Sequence, residues 1–284
     1  MMKMPDNTIQ AVEDYFHLQL DEIWDEREAT QFFYLACYHF FKWNRVDVRM
    51  NRDHRFSESE LLRFIYLVKD LKKRKPIQHI FGWAPFLDYE FNVTPDTLIP
   101  RPETEELVDW VVKFFGKDNK LSVLDVGTGS GCIAVSVKKA LPNVNMTAID
   151  YSDDVLKVAK SNADKYAVDV TFKQLDFLND TVVDQFDVIV SNPPYITQEE
   201  ADGMESHVLD HEPHSALFAS GDALIFYRKL AELASRHKAE LFVEINSAKG
   251  KEVVELFGKY GASQIDLKKD LSGRDRMVHA SWGK

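Results

Sequence analysis

The sequence predicts an α/β fold, a mainly parallel sheet with helices on both faces, preceded by a small helical domain. From residue 120 onward, short apolar segments alternate with amphipathic ones, as when parallel strands are joined through helices. Before residue 75 the apolar residues recur at helical spacing instead. Glycine, aspartate and asparagine fall where strand candidates end, and in such sheets ligands bind beyond the carboxyl ends of the strands.

Bulk properties narrow the class. A chain of 284 residues suits one large domain with a smaller companion. Hydrophobic content of 45% and charged content of 29% are ordinary for a globular protein. A formal net charge of −11 argues against a chain whose main business is gripping nucleic acid, because phosphate contacts need a clustered positive surface. Cys37 and Cys132 are too few and too far apart for a disulfide framework or a thiolate metal site, so a reducing cytoplasm is expected. No segment approaches the roughly 18 apolar residues of a membrane span, and a monomer is the default expectation.

Residues 1–75 are expected to form the helical domain. Ser57-Glu58-Ser59-Glu60 reads as a capping box, and Leu61 to Leu71 repeats at helical spacing. Pro76 is expected to stop that run, and the aromatic-rich stretch Phe32 to Trp43 fits a buried helix. Residues 1–41 are mainly acidic, whereas 42–75 are mainly basic and end in Lys72-Lys73-Arg74-Lys75. Such a run serves either as a solvated helix end or as a docking surface for RNA or an acidic partner.

Residues 76–101, punctuated by Gly82, Pro85, Pro95 and Pro100, are expected to form a linker with a hairpin over Phe86 to Val93. Residues 102–284 form the large domain. Pro102 suits the first position of a helix that Gly116 closes, with Glu103, Glu105 and Glu106 favouring its first turn. Strands are expected at 121–126, 144–149, 170–174, 186–191, 240–245, 263–268 and 276–281. Helices are expected at 131–140, 152–165, 222–236 and 249–260.

Two strand-end segments carry chemistry. Gly127-Thr128-Gly129-Ser130-Gly131 joins a strand to a helix, and glycine there lets a ligand lie against the main chain. A nicotinamide fingerprint would want glycine where Cys132 stands, and a P-loop would want Gly-Lys-Ser/Thr. Asp150 ends the next strand and can accept from two ribose hydroxyls. Asp176 could take a bond from an adenine amino group while Phe177 packs on the ring.

Asn192-Pro193-Pro194-Tyr195 ends the fourth strand candidate. The Asn192 side-chain oxygen and the Pro193 carbonyl can both accept from one NH₂ group, while proline removes competing N–H donors. Tyr195 offers a flat face. Accepting both protons of an amide nitrogen favours its pyramidalisation and stabilises developing charge. Glutamine amide and adenine amine both satisfy this grip. His207, His211 and His214 have spacings compatible with a metal, but they fall in a loop-like, proline-containing stretch and no metal is expected. Asp202, Glu205 and Glu212 are expected as loop or entrance-rim residues rather than ligands.

These segments together resemble class I S-adenosyl-L-methionine-dependent methyltransferases with an Asn-Pro-Pro-Tyr motif. Leu98-Ile99-Pro100-Arg101-Pro102-Glu103-Thr104-Glu105 resembles the signature of the branch that methylates glutamine in peptide chain release factors. So do Pro76 to Gly82, Glu212-Pro213 and Ala216-Leu217. The resemblance implies a Rossmann-like seven-stranded domain and transfer of a methyl to N5 of the glutamine in a Gly-Gly-Gln motif. The alternative is methylation of adenine N6 in nucleic acid, which the acidic total and the Leu98–Glu105 segment disfavour.

The resemblance further implies cofactor contacts from Gly127, Thr128, Gly129, Ser130, Gly131, Asp150, Phe177 and Asn192, with Asp176 added from its strand-end position. Asn192, Pro193, Pro194 and Tyr195 would grip the glutamine, and Arg101 and Glu103 would order the entrance. The partner would be a release factor, with no stable nucleic-acid partner and no membrane. Three departures stand out: Phe177 where tryptophan is frequent, Ser130 where threonine is frequent, and Glu244-Ile245-Asn246-Ser247-Ala248-Lys249-Gly250 in place of Glu-Ile-Gly-x-x-Gln-Gly.

Overall fold

The computed structural model describes residues 6–197, 206–219 and 221–283. The described residues divide into two compact units, one from within 1–82 together with 206–211 and the other from within 83–197 together with 212–283.

The first unit is helical. It contains α1 (Ile9–Leu20), α2 (Glu26–Phe41), α3 (Arg45–Met50), α4 (Glu58–Leu71) and α5 (Ile77–Phe81). The expected box at Ser57 and Glu60 starts α4, and equivalent boxes pair Asp25 with Glu28 and Asn44 with Asp47. The Asp25 box explains why α2 begins six residues before Phe32: it satisfies backbone donors that would otherwise be orphaned. Pro76 does not stop α4, which ends at Leu71, but opens α5, where its missing N–H costs nothing. Phe16, Phe33 and Phe64 are fully buried, and Phe16 meets the other two edge to face at 5.8 and 6.1 Å.

The second unit begins with the hairpin β1 (Trp83–Phe86) and β2 (Tyr89–Asn92), followed by α6 (Pro102–Phe115). The hairpin starts three residues before the expected Phe86. Pro85 is tolerated because both strands of a two-stranded sheet are edges. Pro102 occupies the first turn of α6 and Gly116, at φ +69°, closes it.

The main sheet contains β3 (Ser122–Val126), β4 (Asn145–Asp150), β5 (Val170–Gln174), β6 (Val188–Ser191), β7 (Glu240–Glu244), β8 (Gln264–Lys269) and β9 (Asp275–Ser281). Their spatial order is β5-β4-β3-β6-β7-β9-β8; the first five are parallel and the β7-β9-β8 pairings are antiparallel. Between the strands lie α7 (Cys132–Ala140), α8 (Asp153–Lys165), α9 (Ser206–His211), α10 (His214–Leu217), α11 (Ile225–His237) and α12 (Gly250–Lys259), with α9 belonging to the first unit. The stretch expected as loop around His211 and His214 therefore contains two short helices.

Two cores cover the sheet. One joins β strands to Leu107 and Val111 of α6 and to Ile133 and Val137 of α7; the other joins them to Tyr227 and Leu230 of α11 and to Val253 and Phe257 of α12. Strand order reverses at β3, so the crevice beyond the carboxyl ends of β3 and β6 is the topological switch point.

Candidate active site

The glycine loop and Asn192 leave adjacent parallel strands at that switch point, since Val126 of β3 is in register with Ser191 of β6. They line one pocket, together with Asp150, Asp176, Phe177, Pro193 and Pro194. Leu98 lines it from the segment before α6, and Ser215 and Ala216 line it from α10.

The three glycines differ in what they do. Gly127 and Gly129 have φ of +71° and +56°, and a Cβ on either would meet no protein atom within 4 Å. Both line the pocket, so the main chain there is open to a ligand. Gly131, at φ +80°, instead faces helix α8: a Cβ would come within 3.1 Å of Ala159. Its requirement comes from packing rather than from ligand approach.

Thr128 and Ser130 do not line the pocket. The Thr128 hydroxyl donates to Asp125 at 2.6 Å, and the Ser130 carbonyl accepts from Asn162 at 2.8 Å. Asn162 also exchanges two bonds with the Asn92 backbone, at 2.7 and 3.0 Å, which couples the glycine loop to the hairpin. Burial pushes the Asp125 carboxyl up to about 7 against the stabilising Thr128 donor.

Asp150 is only 8% exposed. Its two oxygens accept from the Gly129 and Ser152 amides at 3.1 and 3.2 Å. Burial nevertheless raises its pKa above the usual carboxylate value. Two donors leave lone pairs for a diol at the pocket wall. Asp176 is exposed and turned onto its own loop, where it accepts from Leu178, Asn179 and the Asn179 side chain. Phe177 is buried in the core beside α11 and shows a surface to the pocket.

Beyond β6, the Asn192 Nδ2 donates to Thr104 Oγ1 at 3.1 Å, and Thr104 donates to Glu244 Oε2 at 2.6 Å. The Tyr195 hydroxyl donates to the other Glu244 oxygen at 3.4 Å. Tyr195 therefore points into this network and is not among the residues that line the pocket. Glu244 is fully buried; burial pushes its carboxyl up to about 7, opposed first by the Thr104 bond. The Arg276 charge favours the ionised form of Glu244, and burial together with Glu244 raises the Tyr195 pKa.

Arg101 and Glu103 take different positions. Arg101 pairs with the buried Glu212 at 2.6 Å, and Glu212 also accepts from the Ile99 amide at 3.3 Å. Glu212, expected as a loop or rim residue, is thus the buried anchor of the 95–101 segment. Glu103 is half-buried and raises the Glu244 pKa through its charge. Thr104, Glu244 and Arg276 received no role from sequence reasoning, because their meeting requires α6, β7 and β9 to converge. Among the described residues no group of three or more His, Cys, Asp or Glu could hold a metal ion; Asp202, Glu205 and the His207 side chain lie outside them.

Comparison with known proteins decides the family. The Methyltransferase small domain model matches residues 108–252, and the PrmC N-terminal domain model matches residues 16–82. The chain is 44% identical to the release factor glutamine methyltransferase of Flavobacterium psychrophilum, over 93% of this chain and 95% of that one. It is 37% identical to that of Bacteroides thetaiotaomicron, over 94% and 98% of the respective chains. The chain belongs to the release factor glutamine methyltransferase family.

Its fold is shared with more distant methyltransferases. The hMettl16 catalytic domain in complex with the MAT2A 3'UTR hairpin 6 aligns with a TM-score of 0.56 at 15% identity, covering 81% of this chain and 84% of that one. The seven-stranded class I methyltransferase architecture is thereby established. The family's cofactor is S-adenosyl-L-methionine, and the residues present fit it: two glycines whose missing Cβ atoms open the pocket, and a buried carboxylate with lone pairs to spare.

Proposed function

We infer that this protein transfers the methyl group of S-adenosyl-L-methionine to the side-chain amide nitrogen of a glutamine in a peptide chain release factor. The supporting observation is that Asn192 and Pro193 line the same switch-point pocket as Gly127, Gly129 and Asp150. An amide acceptor and a cofactor cradle therefore share one space. The family membership makes that acceptor a reader of glutamine rather than of adenine.

The division of labour follows from position. Gly127 and Gly129 give the cofactor access to the backbone, Asp150 takes its diol, and Phe177 covers its base. Thr128, Ser130 and Gly131 shape the loop from behind. When bound, the cofactor supplies an electrophilic sulfonium methyl. Asn192 and Pro193 accept the two amide protons, which loosens the nitrogen lone pair from the carbonyl and directs it outward. Pro194 stiffens the loop, while Tyr195 holds it from below through Glu244. Arg101 keeps the 95–101 segment on the pocket through Glu212.

Release factors are the protein partner in this reading, with the helical unit as the docking domain and the cytoplasm as the place of action. Among the described residues no helix is long and apolar enough to cross a membrane. The test incubates the protein with methyl-labelled cofactor and either a release factor or adenine-containing nucleic acid. Label on the release factor glutamine is expected. Label in nucleic acid alone would overturn the reading.

A further inference from the structure

We propose that Thr104 and Glu244 are positioning residues that hold the Asn192 amide with its oxygen turned to the substrate nitrogen. The inference rests on the methyl-transfer reading and concerns how the acceptor is aimed.

The argument is an accounting of protons. An asparagine side chain has a donor end and an acceptor end of nearly the same shape. Only the acceptor end can take a proton from a substrate NH₂ group; the donor end would oppose it. Which end faces the pocket is set by the atom behind. That atom is Thr104 Oγ1, 3.1 Å from the Asn192 nitrogen. A hydroxyl has one proton, and the 2.6 Å bond to Glu244 uses it when Glu244 is ionised, because a carboxylate has none to give. Thr104 can then only accept from Asn192. The NH₂ end is turned to Thr104, and the oxygen is left for the pocket.

The polarity holds only while Glu244 carries its charge. A neutral Glu244 can donate to Thr104, and Thr104 can then donate to Asn192 with the amide turned over. The substrate would face an NH₂ group. The groups around the carboxylate come from every neighbouring element: Thr104 and Glu103 from α6, Cys132 from α7, Tyr195 after β6, Tyr227 from α11 and Arg276 from β9. Thr104, Tyr195 and Arg276 favour the ionised form, while burial and Glu103 oppose it. The balance lies at about 7, so mild acid makes the reversed chain available.

The experiment compares the full-length protein with Thr104→Val, Thr104→Ser and Glu244→Gln. It measures single-turnover methylation of a release factor at saturating substrate from pH 5.5 to 9, and cofactor affinity by calorimetry. Thr104→Val should slow transfer at least ~10-fold, short of the ~10²–10³ for losing a preorganised contact outright, because Asn192 itself remains. Its cofactor affinity should stay within about twofold, and Thr104→Ser should restore the rate to within about threefold, since it keeps the one hydroxyl the relay uses. The wild-type rate should rise through neutral pH, and Glu244→Gln should be slow and flat.

Equal rates for Thr104→Val and wild type would overturn the proposal. So would a Thr104→Ser variant as slow as Thr104→Val, a matching loss of cofactor affinity, or an acid limb that survives in Glu244→Gln. Should Thr104→Val fail to fold, the Thr104→Ser rate and the Glu244→Gln profile decide. A wild type that never labels release factor overturns the function itself; one that does leaves only the positioning at stake.

Discussion

A glutamine amide nitrogen is a poor nucleophile, and in the proposed function Asn192 answers that with a single oxygen. Removing it leaves Pro193 to accept one proton alone. Asn192→Ala should therefore lower kcat by roughly 10²–10³, the cost of losing one preorganised polar contact to the transition state. Cofactor affinity, measured by calorimetry, should change far less. Unchanged turnover would remove Asn192 from the chemistry. Glu244 carries a stability prediction as well. Its folded pKa of about 7 lies above the ordinary glutamate value of 4.5, so its favourable contribution is complete below about 4.5 and is lost as pH rises through about 7. Glu244→Gln, which cannot ionise, escapes that loss. Its melting temperature relative to wild type should rise between pH ~4.5 and ~7, bounded by about 1.4 kcal/mol per pH unit for one proton. A constant difference across that range would show that Glu244 is not buried in the way described.

Among the elements, the strand-to-helix loop after β3 shows how one glycine pattern serves two purposes. All three glycines have positive φ, which costs a side chain roughly 1–2 kcal/mol. Gly131 has a further cost, because the Ala159 backbone lies 3.2 Å from its would-be Cβ and α8 must move. Gly131→Ala should therefore lower the melting temperature of the cofactor-free protein more than Gly127→Ala or Gly129→Ala. The latter two should show the larger loss of cofactor affinity, because their new methyls project into the pocket. Equal melting temperatures for all three would refute the assignment of Gly131 to helix packing. The caps tell a related story: the box at Ser57 was legible, and the one at Asp25 carried the same signal three residues ahead of Glu28. In the sequence that signal is masked by the stronger aromatic run from Phe32.

At the scale of the whole molecule, charge is divided between parts. The acidic total coexists with a basic stretch over 42–75 in the helical unit, where Arg49 and Arg52 are exposed beside a concavity that includes Tyr34 and Val48. If this face receives the release factor, Arg49→Glu with Arg52→Glu should raise KM for the protein substrate several-fold, because reversing an attractive surface charge mainly slows encounter. The kcat at saturation and the cofactor affinity should be unaffected. A KM unchanged from low to high salt would place docking elsewhere.

Much of this organisation is local in origin, and so it could be read in the chain. Strand–helix alternation, Pro102 opening α6, Gly116 closing it, and the two strand-end motifs each depend on residues close in sequence. The partners of those motifs are not local. Thr104, Glu244 and Asn192 lie 52 to 140 residues apart, counted along the chain, and Asn162 reaches both Ser130 and the hairpin. Sequence alone placed the glycine loop and Asn192–Tyr195 beyond the ends of β3 and β6, because backbone conformation and side-chain type suffice for that. Tertiary structure decided that the Asn192 nitrogen meets Thr104, because that contact depends on α6 reaching a buried carboxylate on β7.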